Sequence, residues 1–160
     1  MTFALSSPAF AHDEPIPEQY TCDGANASPP LKWSDVPYHA KSLVLIVDDP
    51  DAPDPRAPTH THVHWMLYDI APTTPGLKEG QATPPSGARE GLNGWKSRGY
   101  GGPCPPVGRH RYFFKLYALD VVLGDLGTPT KEKLEQAMRD HVIDQAELVG
   151  TYERVTAART

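Results

Sequence analysis

The sequence predicts a β-rich α+β fold, and three features lead to it. Through the first 125 residues, short apolar or alternating runs are separated by turns rich in Pro, Gly and Asp, the spacing of a sandwich or a barrel. Only one stretch, 130–140, carries helical spacing. Eighteen prolines and thirteen glycines would suit a disordered chain, but 39% of the residues are apolar and they are grouped into runs. The prolines are therefore assigned to loops. A chain of 160 residues can bury a core as one unit, so residues 1–160 are read as a single domain.

Each element follows from its composition. Ser42–Asp48 (SLVLIVD) is apolar almost throughout, which predicts a central strand covered on both faces. Thr61–Ile70 and Arg111–Asp120 are rich in aromatic and β-branched side chains and predict two more strands. Between them Pro72–Gly108 keeps no period, and so long a stretch in a compact domain is expected to form a site rim or to contain short strands. Thr130–Asp140 predicts the helix. Thr130 can cap its first turn, Glu132 and Glu135 sit toward the positive end of the dipole, and Leu134, Ala137 and Met138 share one face. Ala146–Val155 predicts a last strand, with Gly150 as a bulge.

Charge and composition exclude several functions. Fifteen Lys plus Arg against twenty Asp plus Glu leave a net charge of −5, and the basic residues gather into no stripe that would track a phosphate backbone, so nucleic acid is not an expected partner. No apolar run reaches the roughly 20 residues of a membrane span, and the first residues lack the pattern of a signal peptide. A cytoplasmic protein is expected. Cys22 and Cys104 suffice for one disulfide, but in a reducing compartment they are read as thiols.

The segment Val47–Ile70 holds five carboxylates, four prolines and three histidines on alternate residues. On a strand His60, His62 and His64 share a face, so with Asp49 or Asp51 they form a candidate metal site, and a metal-assisted hydrolase is the alternative function. Three such positions span roughly 13 Å, too far for all three rings to converge on one ion. The expectation is that Thr59–Thr61 is still loop, with His60 and His62 solvated and only His64, beside Trp65, facing the interior, and that no metal and no cofactor are bound. A second constellation, Gly101–Phe114, runs a Pro/Gly-stiffened loop into a strand on which His110 and Tyr112 point together. Cys104 lies near that histidine, yet no third group orients a base, so a thiol nucleophile is not favoured.

In order along the chain, Asp48–Pro53 (DDPDAP), His64–Trp65 (HW), Gly101–Pro106 (GGPCPP) and Gly108–Asp120 (GRHRYFFKLYALD) resemble the phosphatidylethanolamine-binding protein family, in its bacterial and archaeal Raf-kinase-inhibitor-like branch. Leu5–Phe10, Tyr20–Gly24, Ser28–Pro37 and Ala146–Arg154 resemble further landmarks of that branch. The resemblance implies an antiparallel β-sandwich with one or two short helices near the C-terminus and a small preformed anion pocket at one end. Matched motif by motif, it implies ligand-binding roles for Asp49, His64, Cys104, Pro105, Pro106, His110 and Tyr112, with Asp51, Pro53 and Trp65 supporting them. It also implies a non-enzymatic binding protein for phosphate-type or carboxylate anions, including phospholipid head groups, a homodimer, and a regulatory or inhibitory role toward another protein. Two imidazoles, a phenol and loop N–H groups suit a phosphate monoester. If His64 and His110 hold the anion, their protonated forms are expected to bind it better.

Overall fold

The computed structural model describes residues 2–81 and 83–154. Nine strands are present among them: β1 (Ala4–Ser6), β2 (Glu14–Pro15), β3 (Leu31–Ser34), β4 (Ser42–Ala52), β5 (His60–Ile70), β6 (Gly76–Leu77), β7 (Arg89–Glu90), β8 (His110–Leu119) and β9 (Val142–Tyr152). One α-helix, α1, spans Lys131–Met138. The strands form a three-stranded sheet in the order β1-β3-β6 and a six-stranded sheet in the order β2-β9-β8-β4-β5-β7. The β-rich α+β expectation describes this architecture, but the sheets are not wholly antiparallel. Glu14–Pro15 runs parallel to β9, opposite Gly150 and Thr151. The reason is positional: β2 lies on the sheet edge, where a proline without an N–H is tolerated, and backbone bonds from Asp13 to Val149 and from Ile16 to Thr151 dock it along β9.

The apolar run from Ser42 becomes β4 because it lies between β5 and β8, so both of its faces need cover. Leu43, Leu45 and Val47 face a core shared with Leu5, Leu31, Trp33 and Leu77 of the smaller sheet. Val44 and Ile46 face a second cluster with Met66, Tyr68 and the helix residues Leu134 and Met138. Thr130 caps α1 by accepting from the Lys133 N–H at 3.3 Å. The helix is shorter than the expected Thr130–Asp140. Arg139 already has an extended ψ and Asp140 a positive φ of 69°, so the chain has left the helical region after Met138.

The stretch 72–108 contains the short strands β6 and β7 and one isolated bridge, Leu92 to Arg98. Strand β9 begins four residues before the expected Ala146, and Val155 lies outside the described residues. Gly150 is not a bulge, since its register opposite Tyr112 is unbroken. A Cβ there would stand 2.5 Å from Ile16 and 2.8 Å from Phe10, so the glycine makes room for two core side chains instead.

The irregularity that matters lies on β5. Val47 pairs with Trp65 and the next residue, Asp48, pairs with Val63, so His64 is the extra residue of a β-bulge. Trp65 belongs to the core shared by the two sheets, whereas Val63 packs on the helix-side cluster. The bulge thus inverts the inside-outside phase of the strand. His62 and His60 are carried to the same side as Asp49, and the ends of β4, β5 and β8 open onto a common cavity.

Candidate ligand pocket

That cavity has a volume of about 290 Å³. Strand β4 contributes Asp49, Ala52 and the following Pro53; β5 contributes His60, His62 and His64; β8 contributes His110 and Tyr112. Cys104, Pro105 and Pro106 form its lip and Trp95 one wall. The structure therefore brings together Asp49, His64, Cys104, Pro105, Pro106, His110, Tyr112 and Pro53. It does not place Asp51 or Trp65 on the cavity. Asp51 accepts from the backbone N–H of Arg111 at 2.9 Å and from its guanidinium at 2.9 and 2.8 Å, which ties the end of β4 to β8. Trp65 packs edge-on against Tyr100, centroids 5.3 Å apart, beneath the segment that leads into the lip.

Sequence reasoning missed Ala52, His60, His62 and Trp95 as lining residues. His60 is exposed but borders the cavity; His62 is only half-exposed, and its Nε2 is buried without a partner among the described residues. The bulge accounts for both, because it keeps His60, His62 and His64 in a row with ring centroids 6.4 and 4.9 Å apart. The Trp95 ring stands edge-on to His62 at 4.3 Å and to His64 at 5.2 Å. Gly101 permits this, since a Cβ there would lie 2.1 Å from that indole. Among the described residues no group of three or more His, Cys, Asp or Glu side chains is placed to hold a metal ion, and the hydrolase alternative gains no support.

The hydrogen bonds assign the protons. His110 Nε2 lies 3.0 Å from the Pro53 carbonyl and 2.8 Å from that of Val107, and carbonyls only accept, so Nε2 carries a hydrogen. His110 Nδ1 lies 2.5 Å from Asp49 Oδ2, a contact that two lone pairs would not make, so one further proton sits in that bond. The pair as a whole has no net charge. Burial pushes the Asp49 carboxyl up from its ordinary range, against the opposing hydrogen bond from His110. Asp49 Oδ1 accepts from the Asp51 N–H at 2.7 Å. His64 Nδ1 lies 2.7 Å from the Gly101 carbonyl and must donate to it, which leaves Nε2 with a lone pair. Burial drives His64 down to about 3, so this ring is neutral at ordinary pH. Burial pushes the Tyr112 phenol up, keeping it a donor.

Two expectations are corrected here. His64 and His110 are not free imidazoliums poised for an anion: His110 spends both nitrogens on the protein, and His64 offers an acceptor. The cysteines are not thiols either, because Cys22 and Cys104 form a disulfide across 82 residues of sequence. The bond ties the pocket lip to the turn after Tyr20, reinforced by the Cys22 N–H donating to the Pro103 carbonyl at 3.1 Å. Iodoacetamide is expected to leave the intact mass of the native protein unchanged, and to add two groups only after unfolding and reduction. Two adducts without reductant would show that the thiols are free.

The fold and site together define a class: a β-rich protein with a small cavity where three strand ends and a proline lip meet. A model of the phosphatidylethanolamine-binding protein family matches residues 6–153. The chain is 49% identical to a UPF0098 protein of Chlamydia trachomatis over 150 residues, 94% of this chain and 98% of that one, and 47% identical to a UPF0098 protein of Methanothermobacter thermautotrophicus, again with 94% and 98% covered. The crystal structure of the homologue CT736 from Chlamydia trachomatis superposes with a TM-score of 0.89 at 49% identity, over 96% of this chain and 99% of that one. YbcL of E. coli superposes with a TM-score of 0.86 at 30% identity, over 97% and 100%. The chain belongs to the phosphatidylethanolamine-binding protein family.

Proposed function

We propose that the protein is a binding protein without chemistry of its own, and that its pocket takes a small phosphate-type or carboxylate oxoanion, free or as part of a lipid head group. The observation that carries this reading is the Tyr112 hydroxyl, which is buried on the cavity with no partner among the described residues. A buried hydroxyl with nothing to bind loses its hydration for no return, so it marks the place of a water or a ligand oxygen. The rigidity of the lip, with prolines at 103, 105 and 106, suits a preformed site. Replacing Tyr112 with Phe should weaken methyl phosphate binding about tenfold or more, the worth of one hydrogen bond to a charged acceptor, with no loss of stability. Calorimetric titration of both proteins measures it; equal affinity would remove the support for the pocket.

No helix among the described residues is long and apolar enough to cross a membrane. The cytoplasmic expectation rested on the lack of a signal-peptide pattern and of a long apolar run, and the disulfide favours an oxidising compartment instead. A relative at 42% identity whose name marks it as a lipoprotein, LppC of Mycobacterium tuberculosis, fits that direction. The homodimer and the protein target belong to this reading through the family resemblance alone.

A further inference from the structure

We infer that the pocket selects the proton on its ligand: it takes a phosphate monoester or phosphonate that keeps one P–OH, and turns away anions of the same charge that have no hydrogen to give. This rests on the oxoanion reading above and narrows its ligand class.

The inference comes from an inventory of the polar atoms on the cavity. Asp49 Oδ1 is taken by the Asp51 N–H and Oδ2 by His110. His110 has both nitrogens engaged, Nδ1 by Asp49 and Nε2 by the carbonyls of Pro53 and Val107. Of the lip residues 103–106 only Cys104 has an N–H, since the others are prolines. Three groups remain for a ligand. His62 Nε2 is buried without a partner and can donate or accept according to its tautomer, so it adapts to either kind of ligand oxygen, while the other two are fixed in role. One of these two is the Tyr112 hydroxyl, a donor without a partner. The other is His64 Nε2, which makes no hydrogen bond to the described residues and has its lone pair outward because Nδ1 donates to Gly101. His64 and Tyr112 are neighbours, with ring centroids 5.2 Å apart, so one tetrahedral group can meet both.

A donor beside an acceptor asks for an acceptor beside a donor. A hydrogen phosphate group supplies that pair: one oxygen accepts from Tyr112 and the P–OH donates to His64 Nε2. A sulfonate or a phosphodiester presents only acceptors, and one of its oxygens would face the imidazole lone pair. The remedy would be to protonate His64. That ring is sealed between His62 of its own strand, Trp95 of the loop, and Tyr112 and His110 of β8, with Asp49 of β4 already neutralised by His110, and burial opposes the charge. A site built around a ligand hydroxyl rejects the analogue lacking it by a large factor, because its own polar atoms are left unpaired. The diester linkage of a phospholipid head group falls among the rejected forms, whereas free phosphate monoesters fall among the accepted.

The test uses the native protein at about pH 5.5, below the second ionisation of phosphate monoesters at about 6. Methylphosphonate, methanesulfonate and dimethyl phosphate then all carry one negative charge, and only the first has a P–OH. Calorimetry should show methylphosphonate binding on the order of 100-fold tighter than the other two. In His64→Asn, which can still donate to Gly101 but lacks the Nε2 acceptor, that preference should fall below about tenfold. Equal binding of methylphosphonate and methanesulfonate, or of dimethyl phosphate, overturns the proton requirement and leaves the oxoanion pocket standing. Binding of none of the three removes the oxoanion reading, and this inference with it.

Discussion

Acidification from pH 7 to pH 4 is expected to destabilise the wild-type protein by about 3 kcal/mol more than the His64→Asn variant. His64 is 3% exposed and its folded value lies near 3, whereas the unfolded imidazole titrates near 6.5. Between those values the unfolded chain binds a proton that the folded chain refuses. Stability from this group is thus fully present above about pH 6.5 and is lost as the pH falls toward 3. Asparagine can place its amide where Nδ1 lies and keep the donor to Gly101, so the variant retains the contact and deletes the titration. Two other groups act in the same window. His62 is also lowered by burial and adds to the acid loss, while Asp49 is raised by burial and opposes it, since a raised carboxyl is stabilising below its folded value and loses that as the pH rises through it. Both are present in each protein, so the difference isolates His64. Urea denaturation at the two pH values measures it. Parallel pH profiles would mean that His64 titrates in the folded state and is not sealed, and the pocket chemistry derived from a neutral ring would go with it.

What could be read in advance was what local chemistry decides. The apolar run from Ser42, the aromatic runs of β5 and β8, and the Thr130 cap each state their structure within a few residues, and the motifs around Asp49, His64, Cys104 and His110 marked the residues that the fold gathers at one cavity. Features that depend on a distant partner were not readable. The bulge at His64 is set by how β5 pairs with Val47 and Asp48, and a reading that leaves Thr59–Thr61 as loop places His60 and His62 in solvent, whereas β5 already begins at His60. Trp95 lies in a turn without periodicity, and only the folded chain brings it to the histidines. Two cysteines 82 residues apart carry no spacing signal, so the assumed compartment decided their state, wrongly. The roles of the histidines were misread because the protons follow from partners: the carbonyls of Gly101, Pro53 and Val107 dictate which nitrogens donate, and no composition announces a carbonyl.

The Asp49–His110 pair should separate two substitutions that look alike. Asp49→Ala removes the acceptor of the Asp51 N–H and leaves His110 Nδ1 facing an apolar gap, both buried, and breaking a buried pair from one side costs about 3 kcal/mol or more. Asp49→Asn keeps an oxygen for the Asp51 N–H and turns an N–H toward His110 Nδ1. With Nε2 already carrying its hydrogen against Pro53 and Val107, the neutral imidazole accepts there. The asparagine thus reproduces the arrangement in which the shared proton belongs to Asp49, which burial favours by pushing its carboxyl up. Its expected cost is below about 1 kcal/mol, within the worth of one hydrogen bond. Urea midpoints at constant slope give both values. If Asn proves as damaging as Ala, the pair holds an imidazolium against a carboxylate, and its charge separation would then lie against the ligand. A cost near zero for both would mean that water reaches the pair and that the floor of the pocket is open. The intermediate pattern, Ala costly and Asn tolerated, is the one required by a pocket whose floor carries no net charge and whose specificity comes from the direction of its hydrogen bonds.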